Sequence, residues 1–466
     1  MNFLLSLTPW QSLAFPDLLP PVLATAPHVD GSIVLGGVLL TLVAIYMASK
    51  LGGELSNWLG FPPVLGELVG GVIVGVSALH LVVFPEGGMT AADSAIIGFL
   101  QATAGLSTDP EVVEATFGIQ SEVVSILAEL GVIILLFEIG LESNLKELAA
   151  AGIQATLVAV VGVTVPFSIG TIGLMTLFQF PAVPAIFAGA ALTATSIGIT
   201  SKVLDEIGCL KSKEGQVIVG AAVIDDVLGI IILAVVASLA KTGEVDVTNV
   251  IYLIISASVF LVGAILLGNF FNKSFVALAD QLQTRGKIVI PALILALLLA
   301  YIGGAIHLEA ILGTFAAGLV LDETDKRKEL EELIKPISDV IVPIFFVTVG
   351  ARTNLAVFNP TVPANREGLI IATFLIVVAI FGKIVAGWAV WGQENINRLG
   401  IGIGMIPRGE VGLVFAAVGS ESGALSESLE VAIVLMVILT TFLAPPLLKV
   451  VFKDIDQEEV PAETSP

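Results

Sequence analysis

The amino-acid sequence predicts an all-α polytopic membrane protein with about thirteen transmembrane helices. Of the 466 residues, 56% are hydrophobic and only 13% are charged, and the mean hydropathy is +1.01. A water-soluble domain of this length does not carry such a composition. Apolar runs of about 20 residues recur along the chain, whereas the alternation over about 10 residues that is typical of membrane β-strands is absent from the sequence.

Dividing the apolar runs at polar and proline-rich breaks predicts spans near 32–50, 62–84, 121–141, 150–178, 182–203, 214–240, 247–271, 286–306, 308–321, 332–350, 367–391, 398–420 and 428–452. With the N-terminus outside, nearly all Lys and Arg fall in loops on one side. Only Lys241, Arg352 and Arg366 fall on the other side, and only Lys383 and Arg408 lie well inside spans rather than near their ends. The positive-inside rule therefore predicts an external N-terminus and a cytoplasmic C-terminus.

The chain is expected to form one domain with short ends. Residues 1–31 are expected to be an N-terminal lead-in at the membrane interface, because prolines interrupt this stretch and it lacks the basic start of a signal peptide. Residues 32–453 form the transmembrane domain. Residues 454–466 form an acidic cytoplasmic tail, which is too short for a soluble nucleotide-binding or sensor domain.

Charge and cysteine content exclude several classes of partner and cofactor. The net charge of −21 arises mainly in acidic loops and ends, so no nucleic-acid partner is indicated. The single cysteine, Cys209, excludes an internal disulfide, and the three histidines lack the spacing of a zinc site. We expect no metal site beyond a transported ion, and no cofactor.

Two adjacent acids, Asp225 and Asp226, lie in the middle of the apolar run GAAVIDDVLGIIILAVV. An ionisable side chain at mid-bilayer costs about 2.5 to 3.5 kcal/mol, so it indicates a functional site. Neighbours on a helix point about 100° apart, so one carboxylate can face a cavity while the other meets a partner. Carboxylate oxygens bind either a hard cation or a proton, which is the chemistry of cation/proton exchange.

Other polar residues within spans complete the candidate site. Lys383 is the natural counter-charge for one of the two aspartates, although a purely structural salt bridge is also consistent with its position. Thr195 and Ser196 in ALTATSIGIT, and Arg408 with Glu410 in PRGEVG, mark two interrupted helices. These breaks fall in the fifth and twelfth spans, once in each half of the chain, as in an inverted repeat.

Residues alone leave several functions open. A K+/H+ antiporter is the main alternative, because carboxylates discriminate weakly between Na+ and K+. An ion channel would also place acids in a membrane cavity, but channels usually repeat a filter around a central axis. An intramembrane aspartyl protease also needs two buried aspartates, but these come from different helices. Further acids, Glu67, Glu129, Glu138 and Glu142, are consistent with packing or with a gate.

Six motifs occur in an order that resembles the monovalent cation/proton antiporter-2 family: PPVLGELVGGVIVG, ELGVIILLFEIGLE, ALTATSIGIT, VIDDVLGII, PIFFVTVGA and PRGEVGLVF. This resemblance covers residues 60 to 450 and implies the sodium/proton antiporter fold. That fold has inverted repeats, a panel on the dimerisation side, and a six-helix core with two broken, crossing helices. It further implies a homodimer in membrane lipid and elevator-like transport of Na+ (with Li+ as a further substrate) against H+.

Carried over by position, the resemblance implies that Asp226 is the main cation ligand and Asp225 the proton-linked partner of Lys383. Thr195 and Ser196 would form the unwound segment of the first broken helix. The Asp-Asp pair favours Na+ over K+, and with the buried Lys it is similar to the electrogenic branch, in which two protons exchange for one Na+. Similarity to cyanobacterial sodium/proton antiporters implies either the plasma (inner) membrane or the thylakoid membrane.

Overall fold

The computed structural model describes residues 29–85, 88–143, 145–242, 244–393 and 395–453, which form seventeen α-helices. In chain order these are α1 Gly31–Trp58, α2 Pro63–Val74, α3 Ala95–Thr103, α4 Pro110–Glu142, α5 Leu145–Ala150, α6 Gly152–Thr176, α7 Ala182–Ala191, α8 Ile197–Glu206, α9 Lys213–Thr242, α10 Val247–Gln281, α11 Val289–Ala305, α12 Ala310–Asp322, α13 Arg327–Ala351, α14 Pro363–Gly387, α15 Arg398–Gly404, α16 Glu410–Glu421 and α17 Glu427–Phe452. Residues 1–28 of the expected lead-in and the acidic tail 454–466 lie outside the described residues.

The predicted helical class is confirmed. Within the described ranges, 7 helices are long and apolar enough to cross a membrane, namely α1, α4, α6, α9, α13, α14 and α17. The other predicted spans correspond to the short helices α2, α11 and α12, to α10, and to two pairs of half-helices, α7 with α8 and α15 with α16. Apolar helices in this number make the chain a multi-pass membrane protein.

The second predicted span, 62–84, stops being helical earlier than expected. α2 ends at Val74, and Gly75 adopts an extended backbone with φ −84° and ψ −159°. A side chain at Gly75 would collide with the backbone of Ala351, and Val76 N donates to the Ala351 carbonyl oxygen at 3.1 Å. Close packing against the end of α13 therefore diverts the chain, although the apolar sequence continues.

The helices pack in two layers. The panel layer consists of α1, α2, α4 and α10 to α13, and the core layer of α6 to α9 and α14 to α17. Packing within each layer is extensive, whereas contacts between the layers run mainly through α8, α9 and α17 on the core side. The core layer thus holds six predicted spans, including both broken helices, as the resemblance implied.

Packing partners recur with an offset of seven spans, which supports the predicted inverted repeat. α1 packs on α2 as α11 packs on α12, and α6 packs on α9 as α14 packs on α17. The half-helices follow the same rule, because α6 packs on α7 and α14 packs on α15. Seven is an odd number, so equivalent spans cross the bundle in opposite directions, which makes the repeat an inverted one.

Small residues allow α4 and α12 to approach closely, and this leads to a stability prediction. A Cβ at Gly140 of α4 would collide with the backbone oxygen of Phe315. We expect Gly140→Ala to lower the free energy of unfolding by about 1–3 kcal/mol, as overpacking does. Thermal unfolding in detergent measures this. Gly118→Ala, in the same helix with nothing within 4 Å of its Cβ, is the control, and equal unfolding temperatures for the two variants would contradict the packing.

Candidate functional site

The two broken helices meet at their interruptions. Residues 192–196 separate α7 from α8, and residues 405–409 separate α15 from α16. The backbone N of Ser196 donates to the carbonyl oxygen of Pro407 at 2.8 Å, so one unwound segment lies directly against the other. Proline has no N–H to continue a helix, and the break at this motif follows from that. Four helix ends therefore converge within the core layer.

Threonine hydroxyls satisfy carbonyl groups that the breaks release. Thr193 Oγ1 donates to the carbonyl oxygen of Ala190 at 2.7 Å, which lies in the last turn of α7. Thr200 Oγ1 donates across to the carbonyl oxygen of Gly404 at 2.8 Å, which ends α15. No water hydrogen-bonds such groups in a bilayer core, so these side chains stabilise the non-helical backbone. The Thr-rich sequence thus stabilises the place where the two broken helices meet.

Two fully buried cations lie at the carboxyl end of α7. Lys383 Nζ donates to the carbonyl oxygen of Thr193 at 3.0 Å. Arg408 Nη1 donates to the same oxygen at 3.2 Å and also to the carbonyl oxygen of Ala194. The carboxyl end of a helix carries partial negative charge, so both cations stabilise it. Arg408 thereby joins the second broken helix to the first.

Asp225 is paired with one of these cations. Its Oδ2 accepts a hydrogen bond from Lys383 Nζ at 2.7 Å and another from Thr195 Oγ1 at 2.5 Å. Both charged side chains have zero exposure. A buried ion pair offsets its desolvation only with good geometry and additional hydrogen bonds, and this pair has both. The structure therefore places Lys383 against Asp225 rather than Asp226.

Asp226 faces a small cavity instead. Its side chain is only 2% exposed and lines a cavity of about 20 Å³. Polar lining comes from Thr195, Ser196 and Glu309, while Val132, Ile197, Ile311, Phe345 and Val411 make the rest apolar. A volume of this size has room for about one water molecule or one dehydrated ion. The adjacent aspartates thus occupy different surroundings, as their 100° separation on a helix predicts.

A second cavity, of about 90 Å³, leads from this place towards the end of the bundle opposite the basic loops. Arg408 lines its inner part, and the exposed Glu129 and Arg352 line its outer part. Arg352 is held there by a 2.8 Å hydrogen bond to Ser125 Oγ. The two cavities have three wall residues in common, Val132, Phe345 and Gly409. The second cavity therefore adjoins the cavity at Asp226 and is the candidate route from it to one surface.

Towards the basic end, the described side chains close the route. Ile199 and Val203 of α8 are fully buried in the same apolar cluster as Leu135 of α4 in the panel layer. Further along α8, Glu206 Oε2 accepts a hydrogen bond from the backbone N of Val64 at 3.2 Å. That amide lies in the first turn of α2, where the partial positive charge of the helix favours a carboxylate. Core and panel layers are thus joined on the side that carries the basic loops.

The structure brings most of the predicted site residues together. Those around the crossing are Thr195, Ser196, Asp225, Asp226, Lys383 and Arg408. Glu410 begins α16, but its side chain lies outside the described part of the structure. Sequence reasoning missed Glu309, although the short predicted span 308–321, with an acid as its second residue, was a usable signal. Three or more His, Cys, Asp or Glu placed to hold a metal ion are not found among the described residues.

The pairing of Asp225 with Lys383 predicts a strong energetic coupling. Lys383→Met leaves a buried carboxylate without its cation, so we expect a loss of about 3–5 kcal/mol in unfolding free energy. Asp225→Asn in the same background removes that charge and should recover much of the loss. Thermal unfolding of wild type, both single variants and the double variant in detergent gives the coupling energy. Additive effects of the two substitutions would show that the pair is not a stabilising contact.

Comparisons of sequence agree with this architecture. The family model described as "Sodium/hydrogen exchanger, transmembrane" matches residues 38–453. The high-affinity Na+/H+ antiporter NhaS3 of Synechocystis is 60% identical over 455 residues, covering 96% of this chain and 98% of that protein. The Na+/H+-K+ antiporter GerN of Bacillus cereus is 32% identical over 415 residues, covering 88% and 95%.

Comparison of structures identifies the same fold. The sodium proton antiporter MjNhaP1 of Methanocaldococcus jannaschii at pH 8 superimposes with a TM-score of 0.61. That comparison covers 91% of this chain and 97% of the other at 15% identity, so it concerns the fold alone. Because the family model matches most of the chain, this protein belongs to the sodium/hydrogen exchanger family.

Proposed function

We propose that this protein is a secondary active transporter that exchanges Na+ for H+ at Asp226. The observation that carries the proposal is the placement of the Asp226 carboxylate in a cavity sized for one ion, beside an Asp225 that Lys383 already neutralises. Exchangers of this family are transporters rather than enzymes, so the protease alternative is set aside. The name of the relative at 60% identity supports Na+ over K+ as the cation.

Competition between the two ligands accounts for exchange. An ionised Asp226 offers oxygen ligands to a hard cation, and the hydroxyls of Thr195 and Ser196 lie in the same cavity. A proton on the same carboxylate removes its charge and weakens cation binding. Because one carboxylate holds either ligand, each change of access carries Na+ one way and a proton the other.

Access would alternate by movement of the core layer along the panel layer. In the structure described, the cavity next to Asp226 extends towards the end opposite the basic loops, and α8 closes the basic end against α2 and α4. Movement that opens the basic end must break the hydrogen bond between Glu206 and the Val64 amide. A channel needs no such closure, so this geometry favours an exchanger over a channel.

The coupling ratio, oligomeric state and membrane complete the proposal. Two adjacent buried carboxylates support two protons per Na+, and reversal potentials independent of membrane voltage would contradict that ratio. Exposed apolar residues four apart on α1 (Leu35, Leu39, Val43, Met47 and Leu51) form a face that lipid or a second copy covers. We propose a homodimer, which a purified particle with the mass of one 48.3 kDa chain would contradict.

For localisation we propose the plasma (inner) or thylakoid membrane, with the N-terminus outside and the C-terminus in the cytoplasm. The basic residues Lys202, Lys211 and Arg327 gather at one end of the described bundle near Glu142 and Asp205, which supports this orientation. Protease digestion of intact cells, followed by detection of tags at each terminus, tests it. A digested C-terminal tag would reverse the orientation.

Reconstitution into liposomes tests the exchange itself. With an imposed pH gradient, we expect Na+ to collapse the gradient, Li+ to act less well and K+ to act poorly. Asp226→Asn should reduce the Na+-dependent rate at least about tenfold, because the carboxylate is both cation and proton ligand. Asp339→Asn, which removes an exposed carboxylate on α13, is the matched control and should leave the rate unchanged.

Other outcomes of this assay change the conclusion. Collapse with K+ but not Na+ would move the substrate to the K+/H+ alternative. Collapse without any added cation would indicate a channel or a proton leak. Full activity in Asp226→Asn would show that the aspartate pair does not carry the cation.

A further inference from the structure

α12 begins deep within the bundle. It has 13 residues, which span about 20 Å, less than the about 30 Å of a bilayer core. Its last residue, Asp322, lies at the basic end, where it pairs with Arg327 at 2.5 Å. The first turn of α12 therefore lies at membrane depth rather than at the opposite surface. Glu309, which immediately precedes that turn, is an acid inside the membrane.

The local backbone places Glu309 at the start of α12, beside the cavity. After α11 the chain reverses through His307, which has a φ of +63°, and Leu308 N donates to the carbonyl oxygen of Gly303 at 3.0 Å. Glu309 then occupies the N-cap position of α12 with extended dihedrals, but it makes no side-chain cap hydrogen bond. Capping of its own helix therefore does not account for this acid.

Glu309 and Asp226 line the same cavity of about 20 Å³. They come from different layers, since α12 belongs to the panel and α9 to the core. In the described lining, the remaining polar side chains are Thr195 and Ser196, and the others are apolar apart from glycine backbone. Two carboxylates around so small a space repel each other when both are ionised, and a cation or a proton between them relieves that repulsion.

We propose that Glu309 is a second carboxylate ligand of the transported cation, supplied by the panel layer in the access state described here. This rests on the proposed exchange at Asp226. Hard cations prefer several oxygen ligands, and in this cavity the core layer supplies the Asp226 carboxylate and the hydroxyls of Thr195 and Ser196. An acid at membrane depth is expensive, so it is kept where it has a function. Glu309 thus determines the affinity for Na+ rather than the chemistry of exchange.

The test measures how the rate of exchange depends on Na+ concentration in liposomes at fixed pH. For Glu309→Gln, we expect the half-saturating Na+ concentration to rise about tenfold, as for loss of one charged ligand, with the maximal rate within about twofold of wild type. Glu309→Asp retains the charge on a shorter side chain and should show an intermediate rise. Glu367→Gln removes an exposed carboxylate on α14 and should leave both values unchanged.

A purely structural role would lower the maximal rate without moving the half-saturating concentration. A half-saturating concentration for Glu309→Gln within about twofold of wild type would therefore overturn the inference while leaving exchange at Asp226 intact. If Glu309→Gln does not yield folded protein, Glu309→Asp decides in the same way, since an unchanged half-saturating concentration contradicts a ligand role. Absence of Na+-dependent exchange in the wild type would contradict the proposed function, and this inference with it.

Discussion

The site depends on the binding of two buried cations to the carboxyl end of a broken helix. Lys383 and Arg408 both donate to the carbonyl oxygen of Thr193, and neither side chain has any exposed surface. Unwound backbone in a bilayer would otherwise leave carbonyl groups without partners, and a lone buried cation would be equally unfavourable. The cations donate hydrogen bonds to the carbonyl groups that the break releases, and these carbonyl groups in turn stabilise the buried charges. The break and the two cations therefore stabilise each other.

This arrangement also explains why two adjacent aspartates differ in role. Lys383 and Thr195 both donate hydrogen bonds to Asp225 Oδ2, which holds that carboxylate against the first broken helix. The next residue points about 100° away and meets a cavity at the interface of the two layers. Helix geometry, rather than any difference in chemistry between the two side chains, places one acid against Lys383 and the other beside the cavity.

Sequence patterns predicted the features that depend on hydrophobicity and on local chain breakers. Apolar runs located the thirteen spans, and Pro407 and the Thr-rich segment located both interruptions. What the patterns could not provide depends on tertiary contacts. The early end of α2 follows from close packing of Gly75 on Ala351, and the acceptors of Arg408 are carbonyl groups more than 200 residues away. The position of Glu309 in the site also depends on tertiary contacts, because only the fold brings the start of α12 beside Asp226.

The division of the cavity between two layers has a consequence for transport. Asp226, Thr195 and Ser196 belong to the core layer and would stay together in the proposed movement, whereas Glu309, Val132 and Phe345 belong to the panel. A ligand shifts a conformational equilibrium only by its difference in affinity between the states. If all the oxygen ligands belonged to the core layer, the affinity for Na+ would be the same on both sides of the membrane, apart from the effect of solvent access. An acid on the panel makes the affinity depend on the position of the core, which lets one site bind a cation on one side of the membrane and release it on the other.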